Sequence, residues 1–94
     1  MDLKDFKPID GLDDYYVDKD GNIVSIKIKV LKGSINDDGY RQYHISNKGK
    51  DKYITGHVAV AKTFLPNPNN LPVVNHKDGV KTNNKLKNLE MVYL

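Results

Sequence analysis

The 94-residue chain contains no cysteine and no tryptophan. Without cysteine there is neither a disulfide framework nor a cysteine-ligated zinc site. Arginine is nearly missing too: Arg41 is one of fifteen basic residues, and the rest are Lys. Lysine meets phosphate as a mobile point charge, whereas arginine forms bidentate pairs with guanine. A polyanion on this chain would be gripped by its backbone more than read by its bases. No apolar run approaches the ~20 residues needed to span a bilayer. The N-terminal stretch MDLKDFKPIDG has no apolar signal core. These absences predict a soluble, cytoplasmic protein with no membrane partner.

What is present is unevenly placed. Residues 1–40 carry six Lys against nine Asp, a net of −3, while residues 41–94 carry nine basic residues against three acidic ones, a net of +6. A basic second half suits a polyanionic partner, with a solvated lysine face as the alternative. The length fits one domain, 1–94, with a modest core.

Local patterning predicts two hairpins. Tyr15-Tyr16-Val17 and Ile23-Val24-Ser25-Ile26 flank the turn run Asp18-Lys19-Asp20-Gly21-Asn22. Ile26, Ile28 and Val30 alternate with Lys27 and Lys29, which predicts one buried face. Ser34 to Gly39 reads as a loop. Tyr40 to Ile45 and Tyr53-Ile54 flank the turn residues Asn47 to Asp51. His57, Ala61, Phe64 and Leu65 then fall on one face of a helix capped at Thr55 and stopped by Pro66. Pro72 to His76 and Leu89 to Leu94 read as short strands, joined by a polar loop over 78–88.

The ordered series His57 to Pro68, Val74-Asn75-His76-Lys77-Asp78-Gly79, Lys81-Thr82-Asn83-Asn84 and Asn88-Leu89-Glu90 resembles the signature of the phage-type HNH homing endonucleases. Upstream, Ile9 to Val17 with Gly21-Asn22-Ile23-Val24-Ser25 resembles the nuclease-associated modular domain that precedes HNH in those proteins. The resemblance divides the domain into a module-like β region, 1–50, and an HNH-like region, 51–94. It implies an α+β fold. Two hairpins make a small antiparallel sheet, one helix packs on it through Phe64 and Leu65, and a ββα-metal unit follows.

The same resemblance assigns roles. His76 matches the general base that activates water. Asn88, twelve residues on, matches the loop-fixing asparagine. Asn75 stands where relatives often carry a metal-binding Asp, and an amide is a poorer partner than a carboxylate for Mg²⁺ or Mn²⁺. Asp78 is a further metal candidate. The family's last ligand falls roughly two to three helical turns beyond Asn88, past Leu94, so the expectation is an incomplete unit with weak metal binding. Lys77, Lys81, Lys85, Lys87 and Arg41 are candidate nucleic-acid contacts. Asn83 and Asn84 read as turn formers, as do the Asp13-Asp14 and Asp37-Asp38 pairs. His57 reads as a satisfied core histidine.

The expected function is that of a degenerate HNH protein of phage or mobile-element origin, acting in the host cytoplasm by binding double-stranded DNA or a partner protein. One alternative is an active, metal-dependent nicking enzyme completed by oligomerisation. Another is an anti-defence inhibitor of a host nuclease complex. Met91, Val92 and Leu94 would lack helical cover, which predicts a homodimer or another protein partner over that edge.

Overall fold

The computed structural model describes residues 3–26, 29–47, 49–67 and 69–93, with the backbone alone at Asn47. The first sheet runs β1 (Lys7–Pro8), β2 (Tyr15–Val17), β3 (Ile23–Ser25), antiparallel throughout. Its hairpin is set by side-chain chemistry: Asp18 Oδ1 accepts hydrogen bonds from the backbone N–H of Asp20 (3.0 Å) and of Asn22 (2.8 Å). Gly21 completes the turn at φ +89°, a conformation that glycine adopts without steric cost. The second sheet runs β4 (Ser34–Ile35), β5 (Arg41–Asn47), β6 (Lys50–Thr55). Helix α1 (Gly56–Phe64) follows β6 directly. The third sheet pairs β7 (Val73–His76) with β8 (Leu89–Val92), His76 lying opposite Leu89 and Asn75 opposite Glu90. A 3₁₀ turn, Leu86–Asn88, leads into β8.

The fold is therefore α+β, as expected, but among the described residues the hairpins make separate sheets rather than one. The reason lies at the free edge of β3. Ser25 N–H donates to the Lys29 carbonyl (3.1 Å), Leu31 N–H donates to the Ile23 carbonyl (2.9 Å), and Val24 bridges Val30. That edge is occupied, so β4 pairs with β5 instead. The segment read as a loop from Ser34 thus begins with a strand.

The alternating face expected through Ile26 and Val30 does not form. The strand ends at Ser25, although Ile26 N–H still donates to the Asp14 carbonyl (2.7 Å), its in-register partner across the hairpin. Ile26 and Val30 are 57% and 48% exposed, while the adjacent Ile23 and Val24 are both fully buried. Lys27 and Ile28, also part of that pattern, lie outside the described residues, as does Leu94.

Helix α1 begins and ends where Thr55 and Pro66 predict, although the Thr55 side chain makes no capping hydrogen bond. Its buried face is rotated from the expected one. Gly56, Ala59, Val60 and Ala61 are buried, Val60 completely, while His57, Phe64 and Leu65 are half-buried. The helix touches strands of all three sheets, and small residues let it approach them closely. The core joins Ile9, Leu12, Val17, Ile23, Tyr43, Ile45, Val60 and Leu89 from every sheet and the helix. Tyr15 ties the first sheet to the second, its hydroxyl accepting from the Ser46 N–H at 3.0 Å. No helix among the described residues is long and apolar enough to cross a membrane.

Candidate functional site

Strand β7 carries His76 at its end, on the face that Val74 shares. Leu89 and Met91 lie opposite these two residues on the same face. Leu89 is buried in the core, so that face looks inward, and His76 is only 7% exposed. Its Nε2 lies 2.9 Å from Asn84 Oδ1. Its ring is tilted against His57, with centroids 5.1 Å apart, and lies 5.9 Å from Tyr40. Tyr40 stacks on His57 at 4.6 Å, and Lys81 Nζ sits over the Tyr40 ring at 5.1 Å. The candidate base is thus clasped by an amide and by a layered stack of rings.

His57 is not the satisfied core histidine expected. Its Nδ1 is buried with no hydrogen-bond partner among the described residues. Burial, and secondarily the neighbouring His76, push its pKa down to about 4, so the imidazole is neutral at physiological pH.

The loop after β7 is braced by its own side chains. Asn88, buried, donates from Nδ2 to Asp78 Oδ1 (3.0 Å) and to the Asn83 carbonyl (2.9 Å), and its Oδ1 accepts from Asp78 N–H (3.2 Å). Its carbonyl accepts from Lys77 N–H at 2.8 Å. Asn88 therefore grips the two residues that follow His76 and makes no hydrogen bond to the imidazole. Asp78 also accepts from Asn83 Nδ2 (2.8 Å) and Val80 N–H (2.8 Å). These bonds, that from Asn83 foremost, hold its carboxyl below the usual carboxylate range. Gly79 turns the chain at φ +75°.

Asn75 lies on the opposite face of β7 from His76. It is exposed, and its Nδ2 donates to Glu90 Oε1 across the ladder at 2.9 Å. Asn75 and Asp78 thus flank His76 without converging on it. Among the described residues, no group of three His, Cys, Asp or Glu could hold a metal ion.

The candidate phosphate contacts also separate. Lys77, Lys85 and Lys87 are exposed. Lys81, also exposed, is committed elsewhere, donating to the Asp38 carbonyl at 2.7 Å, and Arg41 donates to the Lys32 carbonyl at 2.7 Å. Sequence reasoning missed Asn84, Tyr40 and Glu90 as neighbours of the site. Asn84 sits in a polar loop whose composition signals only a turn, and Tyr40 arrives from the residue just before β5, far off in sequence.

No protein-family model matches the chain. Over 84 residues it is 43% identical to an uncharacterised HNH endonuclease of Acanthamoeba polyphaga mimivirus, a match covering 88% of this chain and 26% of that protein. Over 93 residues it is 40% identical to DNA endonuclease I-HmuI of Bacillus phage SP01, covering 98% of this chain and 52% of that one. The solved structure titled for DNA binding and cleavage by the HNH homing endonuclease I-HmuI matches with a TM-score of 0.83 over 94% of this chain and 52% of its own. The chain thus spans about half the length of I-HmuI and about a quarter of the mimivirus protein. In sequence and in fold, these residues belong to the phage-type HNH endonuclease family.

Proposed function

We propose that this chain is the DNA-binding and base-carrying part of an HNH endonuclease, and that alone it binds duplex DNA without cleaving it. The donor set around His76 carries this reading. An HNH metal centre needs hard oxygen ligands converging beside the base. Here the Asp78 oxygens are engaged by Val80, Asn83 and Asn88. Asn75 is an amide, facing away from His76 and bonded to Glu90. These residues do not fit a Mg²⁺ or Mn²⁺ centre by themselves, and no step through such an ion follows from them.

His76 retains the chemistry of a general base, but a base must reach water within hydrogen-bond distance, and this ring is enclosed. Binding is supported by the relative I-HmuI, whose structure is titled for DNA binding and cleavage, and by the exposed Lys77, Lys85 and Lys87 beside the motif. The reading implies action where the DNA is, in the cytoplasm of a phage-carrying cell.

The test is paired. Fluorescence anisotropy on a labelled duplex should show affinity falling steeply with salt. Plasmid incubated with Mg²⁺ or Mn²⁺ should stay supercoiled. Nicking by the wild type that disappears in His76→Ala would overturn the non-cleaving reading, and no binding at low salt would overturn the DNA-binding one.

A second reading, an active nuclease completed by another copy, is favoured by one feature. The outward face of β7 and β8 carries exposed Asn75 with half-buried Val73, Glu90 and Val92, beside Tyr93, which is 77% exposed. A homodimer covering it would appear in light scattering, and metal-dependent nicking would rise more than linearly with protein concentration. No described feature favours the inhibitor of a host defence protein.

A further inference from the structure

We propose that Asn84, seated between Gly21 of the β2–β3 turn and Gly56 at the start of α1, is a positioning residue that fixes the tautomer of His76, leaving Nδ1 as its proton-accepting nitrogen. The catalytic meaning of this assignment rests on His76 being the base; the assignment itself does not.

The argument starts from the contact. His76 Nε2 lies 2.9 Å from Asn84 Oδ1. An amide oxygen only accepts, so the ring nitrogen facing it must donate. A neutral imidazole has one N–H, and once Nε2 carries it, Nδ1 holds the free lone pair. Hydrogen bonding at one ring nitrogen commonly decides the role of the other in this way.

The seat explains why the amide stays put. Asn84 is 5% exposed. A Cβ added to Gly21 would lie 3.0 Å from Asn84 Cβ and 3.3 Å from its carbonyl oxygen, and one added to Gly56 would lie 2.6 Å from Asn84 Nδ2. Two glycines on separate elements therefore make room for one side chain. The positive φ of Gly21 keeps that position glycine. The same turn is tied to the loop by Leu86 N–H donating to the Lys19 carbonyl at 2.7 Å. His57 and Tyr40 line other sides of the imidazole, so the ring has no room to swing to a different acceptor. By this route the N-terminal β region governs the state of a histidine far along the chain: a displaced β2–β3 turn releases Asn84, and Asn84 releases the ring.

The test is a long-range proton–nitrogen correlation spectrum of the nitrogen-15-labelled full chain, at alkaline pH where the rings are neutral. His76 is assigned by the signal missing in His76→Gln. The wild type should show Nε2 protonated and Nδ1 bare. Asn84→Asp keeps an acceptor and should retain that pattern. Asn84→Ala and Gly21→Ala should move both nitrogens toward the averaged values of a free, exchanging imidazole. A wild-type spectrum with Nδ1 protonated, or one left unchanged by Asn84→Ala, would overturn the proposal. Should Asn84→Ala fail to fold, the wild type and Asn84→Asp still decide, since loss of the pattern in either sinks it. The readout needs neither DNA nor cleavage, so it stands or falls apart from the nuclease reading.

Discussion

Gly56→Ala reverses the usual rule for a helix. In an exposed helix interior, alanine is favoured over glycine by about 1 kcal/mol, and at a first-turn position by about half of that. Here the new Cβ would lie 2.6 Å from Asn84 Nδ2 and 3.2 Å from Tyr43 Cε1. The amide can rotate away, but it then leaves His76 Nε2 without its partner. An unsatisfied buried group costs about 1–3 kcal/mol, and crowding the Tyr43 ring adds about 1 kcal/mol or more. These costs exceed the helical gain, so the variant should be less stable by about 2 kcal/mol. For a domain of this size that lowers the melting temperature by roughly 8–16 °C. Urea unfolding should show an earlier midpoint with an unchanged slope. In an Asn84→Ala background the collision with the amide is already gone and only the Tyr43 contact remains, so Gly56→Ala should cost distinctly less there, a coupling that a double-mutant cycle reads directly. If Gly56→Ala is as stable as the wild type, or more so, the packing of Asn84 against the helix start is wrong.

Three further outcomes follow from the site. His57 has its pKa lowered from 6.5 to about 4, so the unfolded chain takes up its proton first on acidification. Its contribution to stability is intact above the unfolded value and is lost as pH falls from about 6.5 toward 4; His57→Phe should flatten that part of the pH–stability curve, measured by urea midpoints. Asn83 is the foremost cause of the lowered Asp78 pKa, so Asn83→Ala should move the Asp78 carboxyl titration upward in carbon-detected NMR. Replacing Lys77, Lys85 or Lys87 by Gln should each reduce the slope of log affinity against log salt by about 1 if the side chain meets phosphate, whereas Lys81→Gln, removing a side chain bound to Asp38, should change the slope less and the stability more.

The parts of the fold legible in the sequence were those with local causes. Asp18 and Gly21 announced their turn, Pro66 announced the end of α1, and the order of residues from His57 to Glu90 announced the family. What was not legible depended on distant partners. The helix face was misjudged because Val60 is buried by sheets far off in sequence, and periodicity within α1 could not rank it above Phe64. The β3 edge was misjudged because Lys29, Val30 and Leu31 return to cover it. In the site, Asn88 was expected to fix the loop, but its grip on Asp78 depends on a side-chain geometry that spacing does not encode. Asn84 looked like any turn residue until Gly21 and Gly56 were seen on either side of it.

The shared core described above has a bearing on how this protein comes apart. Among the described residues its buried cluster draws on every sheet and on α1, so no hairpin owns enough buried surface to survive by itself. Amide hydrogens in Val17, Ile45 and Leu89 should then exchange with deuterium through one common opening of the whole molecule, not through three separate ones. Cutting the chain between its two halves would dissolve both rather than free either.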